Sequence, residues 1–252
     1  MTTLLQTTTP IDYPSGDGRP VAETFVHLYA ILTTLEVLRQ YLEGRQATVL
    51  ANQFLYYAPG VPSSRVAPDV MVIFGVEPGG RDHYKTWEEG RVPAVIFEIT
   101  SAGTRKKDQG DKKTLYALLG VQEYWLFDPK GEWIAEQLQG YRLESVVQED
   151  GEYVHRYQSI EDGLSVPLGL RLQVEGELMG FYRLDNGQKL LIPGELAVEV
   201  RRGAERLERA EQRAAAEQQA REQAEQRATQ AEQRAAELAE RLRALGIDPE
   251  QV

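Results

Sequence analysis

Asp69 stands directly before the apolar run Val70–Phe74, and Glu98 stands directly after Val95, Ile96 and Phe97. Each puts a carboxylate beside a strand that is apolar enough to be buried. A carboxylate desolvated alone is costly, so each needs a cation, either a basic side chain or a metal ion. Lys112 lies four residues after Asp108 and four before Tyr116. That spacing lines the three up along one side of a helix. Two acids holding a divalent ion, with a lysine close by, make a centre suited to phosphodiester hydrolysis. Carboxylates bind Mg²⁺ through oxygen, the ion makes a water nucleophilic, and a nearby cation stabilises charge gathering on the phosphate.

Each residue also has a simpler reading. Asp69 could close a turn through its side chain. Glu98 could pair with Arg105 or Lys106, and Asp108 suits a helix N-cap better than a ligand. Lys112 alone is an ordinary surface lysine, with Lys113 as its rival. Ser101 and Thr104 suit loop hydrogen bonds, because no His or Asp relay accompanies them. Tyr124 and Trp125 alternate on a strand and suit core packing. The three histidines are scattered, and only His27, one helical turn from Glu23, approaches a candidate acid.

The elements that must position these residues follow from periodicity. Apolar residues at Phe25, Leu28, Ile31, Leu32, Leu35, Leu38 and Leu42 predict a helix over 22–43, stopped at Gly44. Strands are expected over 47–57, 66–76 and 93–100, the last two apolar enough to be covered on both faces. If 66–76 and 93–100 are antiparallel neighbours, the start of one meets the end of the other, and Asp69 meets Glu98. A short helix around 84–89, a helix over 108–119 closed by Gly120, and a strand over 123–127 complete the core. This order is that of an α/β (α+β) fold with a mixed sheet flanked by helices.

Beyond Pro129 the pattern becomes short strands separated by Gly and Asp turns: 133–138, 140–147, 153–157, 171–174, 178–183 and 189–191. These read as extra β-hairpins packed beside the core, without a chemical motif. Residues 203–245 are rich in Ala, Glu, Gln and Arg, and AEQR recurs at Ala210, Ala224 and Ala231. The positions Leu207, Ala210, Ala214, Glu217, Arg221, Ala224, Ala228, Ala231, Ala235, Leu238, Leu242 and Leu245 alternate spacings of three and four. That is a heptad seam, weak where alanine and charge occupy it and stronger at its Leu-rich end. A long solvated helix, a self-association helix and a partner-binding helix all remain open. The expected organisation is a loosely packed segment over 1–20, one domain over 21–200 (core 21–129, hairpins 130–200) and a helical tail over 201–252.

The 252 residues carry a net charge of −11. Residues 201–252 contain ten Arg and eleven acids, so nearly all of the excess lies in the first 200 residues. An acidic body argues against passive nucleic-acid binding through a basic patch. It argues less against an enzyme whose acids hold cations. Cysteine is absent, which excludes disulfides, thiol chemistry and Cys-containing zinc clusters. No apolar run is long enough to cross a membrane, and no export signal is recognisable, so a cytoplasmic location is expected.

The ordered set Pro68-Asp69, Pro93, Glu98, Ser101, Thr104, Asp108, Lys112, Tyr116, Gly120-Val121, Glu123-Tyr124-Trp125 and Asp128-Pro129 resembles the Uma-type restriction endonuclease family of the PD-(D/E)XK nuclease superfamily. The resemblance spans roughly residues 10–190 and leaves the tail outside. It implies a restriction-endonuclease-like fold and a Mg²⁺- or Mn²⁺-dependent endonuclease acting on DNA. Asp69 and Glu98 would bind the metal, with the Ile99 carbonyl as a third ligand, and Lys112 would assist. The superfamily's usual lysine two positions after the glutamate is Thr100 here, so the lysine has moved to the following helix. Glu23 matches an additional acid that superfamily members often carry on the first helix. Such nucleases often act as dimers, which would give the tail a purpose as a homodimer helix. The alternative function is a catalytically inactive nuclease-fold module acting in binding or assembly through the tail, and a third is a coiled-coil adaptor with a globular cap.

Overall fold

The computed structural model describes residues 11–18, 24–147 and 153–246. Residues 1–193 form one compact unit and 194–252 a second. In the first, Thr24 caps helix α1 (Phe25–Tyr41), its hydroxyl oxygen accepting from the His27 amide at 3.4 Å. The apolar stripe read from the sequence is partly the wrong face. His27, Ala30, Ile31, Thr34, Val37 and Leu38 are buried, whereas Phe25 and Leu32 are 76% and 47% exposed. Apolar residues surround this helix, so periodicity alone does not say which side meets the sheet.

The strand expected over 47–57 is two strands, β1 (Ala47–Leu50) and β2 (Leu55–Tyr56). Asn52 at φ 55° breaks it, in the left-handed region that asparagine tolerates. The run 66–76 likewise divides into β3 (Arg65–Val66) and β4 (Val70–Phe74), with Pro68 and Asp69 between. Next come β5 (Tyr84–Lys85), α2 (Thr86–Glu89) and β6 (Val95–Ile99). The helix expected over 108–119 starts earlier. It comprises α3 (Arg105–Lys107), one π-helical turn (Asp108–Lys112) and α4 (Lys113–Leu119). Asp108 is therefore an interior helical residue and not an N-cap. Gly120, at φ 83°, closes α4 as expected.

β7 (Glu123–Phe127), β8 (Leu138–Val147) and β9 (Tyr153–Ile160) complete a six-stranded mixed sheet of order β1-β4-β6-β7-β8-β9. Only β6 and β7 in it are parallel. The segment 133–137, expected as strand, is turn held by Asp128, whose carboxylate accepts from the amides of Lys130, Trp133 and Ile134. The expected turn at 148–151 lies outside the described residues. β10 (Leu164–Ser165), β11 (Leu170–Glu175), β12 (Leu178–Arg183) and β13 (Lys189–Leu190) form a separate antiparallel sheet, and β3-β2-β5 a third.

Strand alternation sends side chains to two cores. Val70, Val72, Val95, Phe97, Ile99, Trp125 and Phe127 pack with α1, β11 and β12. Met71, Ile73, Ile96, Tyr124 and Leu126 pack on the other face with Tyr116. Glu98 belongs by parity with Ile96, on the α4 face.

The second unit is α5 (Pro193–Ala244), a helix with no buried residue. It begins before the boundary expected at 201, because Gly194 and Gly203 are absorbed into the helix. Among the described residues no helix is long and apolar enough to cross a membrane.

Candidate active site

β4 and β6 pair antiparallel, Val70 opposite Phe97 and Met71 opposite Ile96. One further step of this register places Asp69 opposite Glu98. The backbone amide of Ile99 donates to Asp69 Oδ2 at 2.6 Å. The Ile99 carbonyl is in turn 2.6 Å from His27 Nε2, which lies 3.9 Å from Asp69 Oδ2. The end of β6 therefore presents Asp69, the Ile99 carbonyl and His27 together. Glu23 lies outside the described residues.

Glu98 is 1% exposed, and both of its oxygens are engaged. Tyr116 donates its hydroxyl to Oε1 at 2.7 Å, and Lys112 Nζ donates to Oε2 at 2.8 Å. Lys112 Nζ also lies 2.9 Å from Asp108 Oδ1. This is an ion pair by distance, although neither Asp108 oxygen receives a well-aligned hydrogen bond among the described residues. Arg105 and Lys106, the sequence alternatives for pairing Glu98, do not do so: Arg105 stacks 4.0 Å over the Trp133 ring, and Lys106 is exposed. Lys113 points elsewhere, its ammonium 3.3 Å from the Tyr141 ring centre. Burial lowers its pKa. Lys112 is thus the lysine that reaches the acids.

A π-helical turn runs through this arrangement, from Asp108 to Lys112. Such a turn shifts the facing of the residues beyond it and recurs at functional sites. Here Asp108, Lys112 and Tyr116 all turn toward the sheet. Tyr124 fastens the turn, donating its hydroxyl to the Asp108 carbonyl at 2.9 Å.

The Glu98 carboxyl is pushed up to about 8, first by burial and then by the charge of Asp69, against the pull of Lys112. Burial alone would lower Lys112, but the charges of Glu98 and Asp108 outweigh it and raise the ammonium above its usual range. The two shifts oppose each other, because a protonated Glu98 cannot raise its neighbour. We take the upward direction for Glu98, since full burial beside a second acid dominates. Asp108 then holds the lysine while Glu98 is neutral, and both hold it once Glu98 ionises. Burial, then Glu98, raises the Tyr116 hydroxyl well above its usual value, so it stays a donor.

Asp69 and His27 line a cleft of about 500 Å³ with Thr24, Ser101, Thr104 and the 128–133 turn. Ser101 and Thr104 bond each other across their loop, the Ser101 amide donating to Thr104 Oγ1 at 3.2 Å. A groove of about 430 Å³ between the end of α1 and β1 has no comparable set of acids and lysine. Glu123 shows how an ordinary structural acid is treated. It is fully buried but pairs with Arg142 at 2.9 Å and accepts from the Val166 amide and the Trp125 indole.

The chain matches the family described as "Uma2: Putative restriction endonuclease" over residues 4–175. The chain belongs to the Uma2 family. A solved structure described as a putative nuclease belonging to DUF820 from Anabaena variabilis ATCC 29413 is 16% identical to it. That alignment covers 58% of this chain and 73% of the other, with a TM-score of 0.38. No curated protein matches the chain.

A divalent ion is the cofactor this family implies. Asp69, Glu98 and the Ile99 carbonyl are hard oxygen donors of the kind Mg²⁺ and Mn²⁺ take. Among the described residues no three His, Cys, Asp or Glu side chains stand close enough to hold a metal by themselves. Two acids and a carbonyl would give only a partial shell, of the kind that Mg²⁺ completes with water. Burial first, and then the charge of Asp69, raise the Glu98 carboxyl, and a bound cation would offset both.

Sequence reasoning missed two partners here. In the sequence His27 stands near Glu23 alone, and Tyr116 has a place in the pattern without a stated role. The spacing of Tyr116 to Lys112 was a usable signal. No local signal could have tied His27 to Ile99, 72 residues away.

Proposed function

We propose that this Uma2 protein is a metal-dependent endonuclease that hydrolyses DNA phosphodiester bonds at the end of β4 and β6. The observation that carries the reading is the nearness of Asp69, which lines a cleft, to the buried Glu98, the Ile99 backbone and Lys112 just behind it. Asp69, Glu98 and the Ile99 carbonyl would hold Mg²⁺ or Mn²⁺, which when bound supplies Lewis acidity and an acidified water. Asp69 is fixed by the Ile99 amide and faces the cleft. Glu98 is anchored from behind by Tyr116. Lys112 keeps its ammonium beside Glu98 and stabilises negative charge as the water oxygen adds to phosphorus and the P–O bond to the leaving oxygen breaks. The consecutive cations Arg105, Lys106 and Lys107 follow the cleft-lining loop and suit a phosphate backbone, which the acidic remainder of the body does not. Dimerisation through α5 would pair two such sites for cutting both strands.

Cleavage of single- and double-stranded DNA with and without Mg²⁺ tests this. Asp69→Ala and Glu98→Ala should each abolish metal-stimulated cleavage while the circular dichroism spectrum is kept. Equal cleavage by either variant sinks the assignment. One observation favours a second reading, an inactive module that binds or assembles: both Glu98 oxygens are already taken by protein groups. Calorimetry with Mn²⁺ separates the two, because a stably folded protein that binds no ion is the inactive module.

A further inference from the structure

Lys112 poses a problem for any cation at Glu98. Its ammonium sits 2.8 Å from Glu98 Oε2, and Tyr116 holds Oε1. Each Glu98 oxygen keeps a further lone pair, but an ion taking the one that faces Lys112 displaces the ammonium, and a part-buried lysine displaced without another partner is left uncompensated. Asp108 supplies the other partner. Its carboxylate is fully buried, Oδ1 is 2.9 Å from the same ammonium, and neither oxygen has a well-aligned hydrogen bond of its own among the described residues. The π-helical turn carries Asp108 and Lys112 together, and Tyr124 fastens it through the Asp108 carbonyl.

We infer that Asp108 is a positioning residue that retains Lys112 when Glu98 turns its carboxylate to a divalent cation. The inference rests on the metal-binding reading above and adds a second acid to it, one that touches the lysine and not the metal. In this arrangement the lysine stays within reach of the site when the ion arrives. The acid–lysine–acid trio keeps a compensated charge throughout.

The test is Mn²⁺ titration calorimetry on the full chain. Four proteins are compared: the wild type, Asp108→Asn, Lys112→Met and the double variant, with melting curves confirming the fold. Lys112→Gln replaces the methionine variant if that does not fold. Asp108→Asn should weaken Mn²⁺ binding about 10- to 100-fold, as loss of a group supporting a metal ligand does. In the Lys112→Met background the same change should alter affinity by no more than about twofold, because no lysine remains to be held. An undiminished loss in that background overturns the inference, since Asp108 would then act by its charge or by general stabilisation. Wild-type binding unaffected by Asp108→Asn also overturns it and leaves the metal reading standing. A folded wild type that binds no Mn²⁺ overturns both.

Discussion

Replacing Glu98 by Gln should flatten the dependence of stability on pH. Burial and the charge of Asp69 lift the Glu98 carboxyl from an ordinary 4.5 to about 8. Between those values the folded chain keeps a proton that the unfolded chain has released. The contribution of Glu98 is therefore fully present below about pH 4.5 and is lost as pH rises through about 8. At about 1.4 kcal/mol per unit, the whole interval is worth at most about 5 kcal/mol. Relaxation and water entry around the ionised pair reduce this to about 2–4 kcal/mol. Lys112 does not confound the window, because its raised pKa affects stability only above its ordinary 10.5. Urea unfolding at pH 5, 6, 7 and 8 in EDTA, for wild type and Glu98→Gln, isolates the term by difference. About three quarters of this contribution falls between pH 5 and pH 8, so wild type should lose about 1.5–3 kcal/mol relative to the variant over that range. Parallel curves would refute the reasoning, since they would mean that Glu98 ionises in the fold as easily as in the unfolded chain.

Tyr116→Phe removes the donor to Glu98 Oε1 from a buried site and should cost about 1–3 kcal/mol in urea unfolding at pH 7; an unchanged midpoint would show that the bond contributes nothing. A Cβ on Gly140 would run into the Trp125 ring, so Gly140→Ala should cost about 1–3 kcal/mol and alter Trp fluorescence. Asp128→Ala strips three backbone amides of their acceptor and should cost about 2–4 kcal/mol by thermal melting, with the turn that lines the cleft loosened. Ending the chain at residue 193 removes a helix in which no residue is classed as buried, and the melting of residues 1–193 should be unchanged. If sedimentation gives the same oligomeric state with and without α5, the heptad seam is not an assembly device.

Most strand and helix types of the core, the stop at Gly120 and the long tail helix were legible in the sequence, and Asp69, Glu98 and Lys112 stood out there as candidates. These depend on local matters: period-two and period-3.6 patterns, a left-handed glycine and the cost of a carboxylate beside a buried strand. The tertiary structure decided what those residues touch. Apolar residues ring α1, so only packing against the sheet chose the face that carries His27 inward. Asp108 reads as an N-cap until the helix is seen to begin at Arg105, three residues earlier, which leaves it inside the helix, one turn before Lys112. Glu98 had several candidate cations nearby in sequence. The one that reaches it is selected by the crossing of α4 over the β6 face, where Arg105 is drawn off to Trp133 and Lys113 to Tyr141. Partner choice for a buried charge is a matter of three-dimensional proximity and desolvation. Spacing along the chain narrows that choice, and the packed fold makes it.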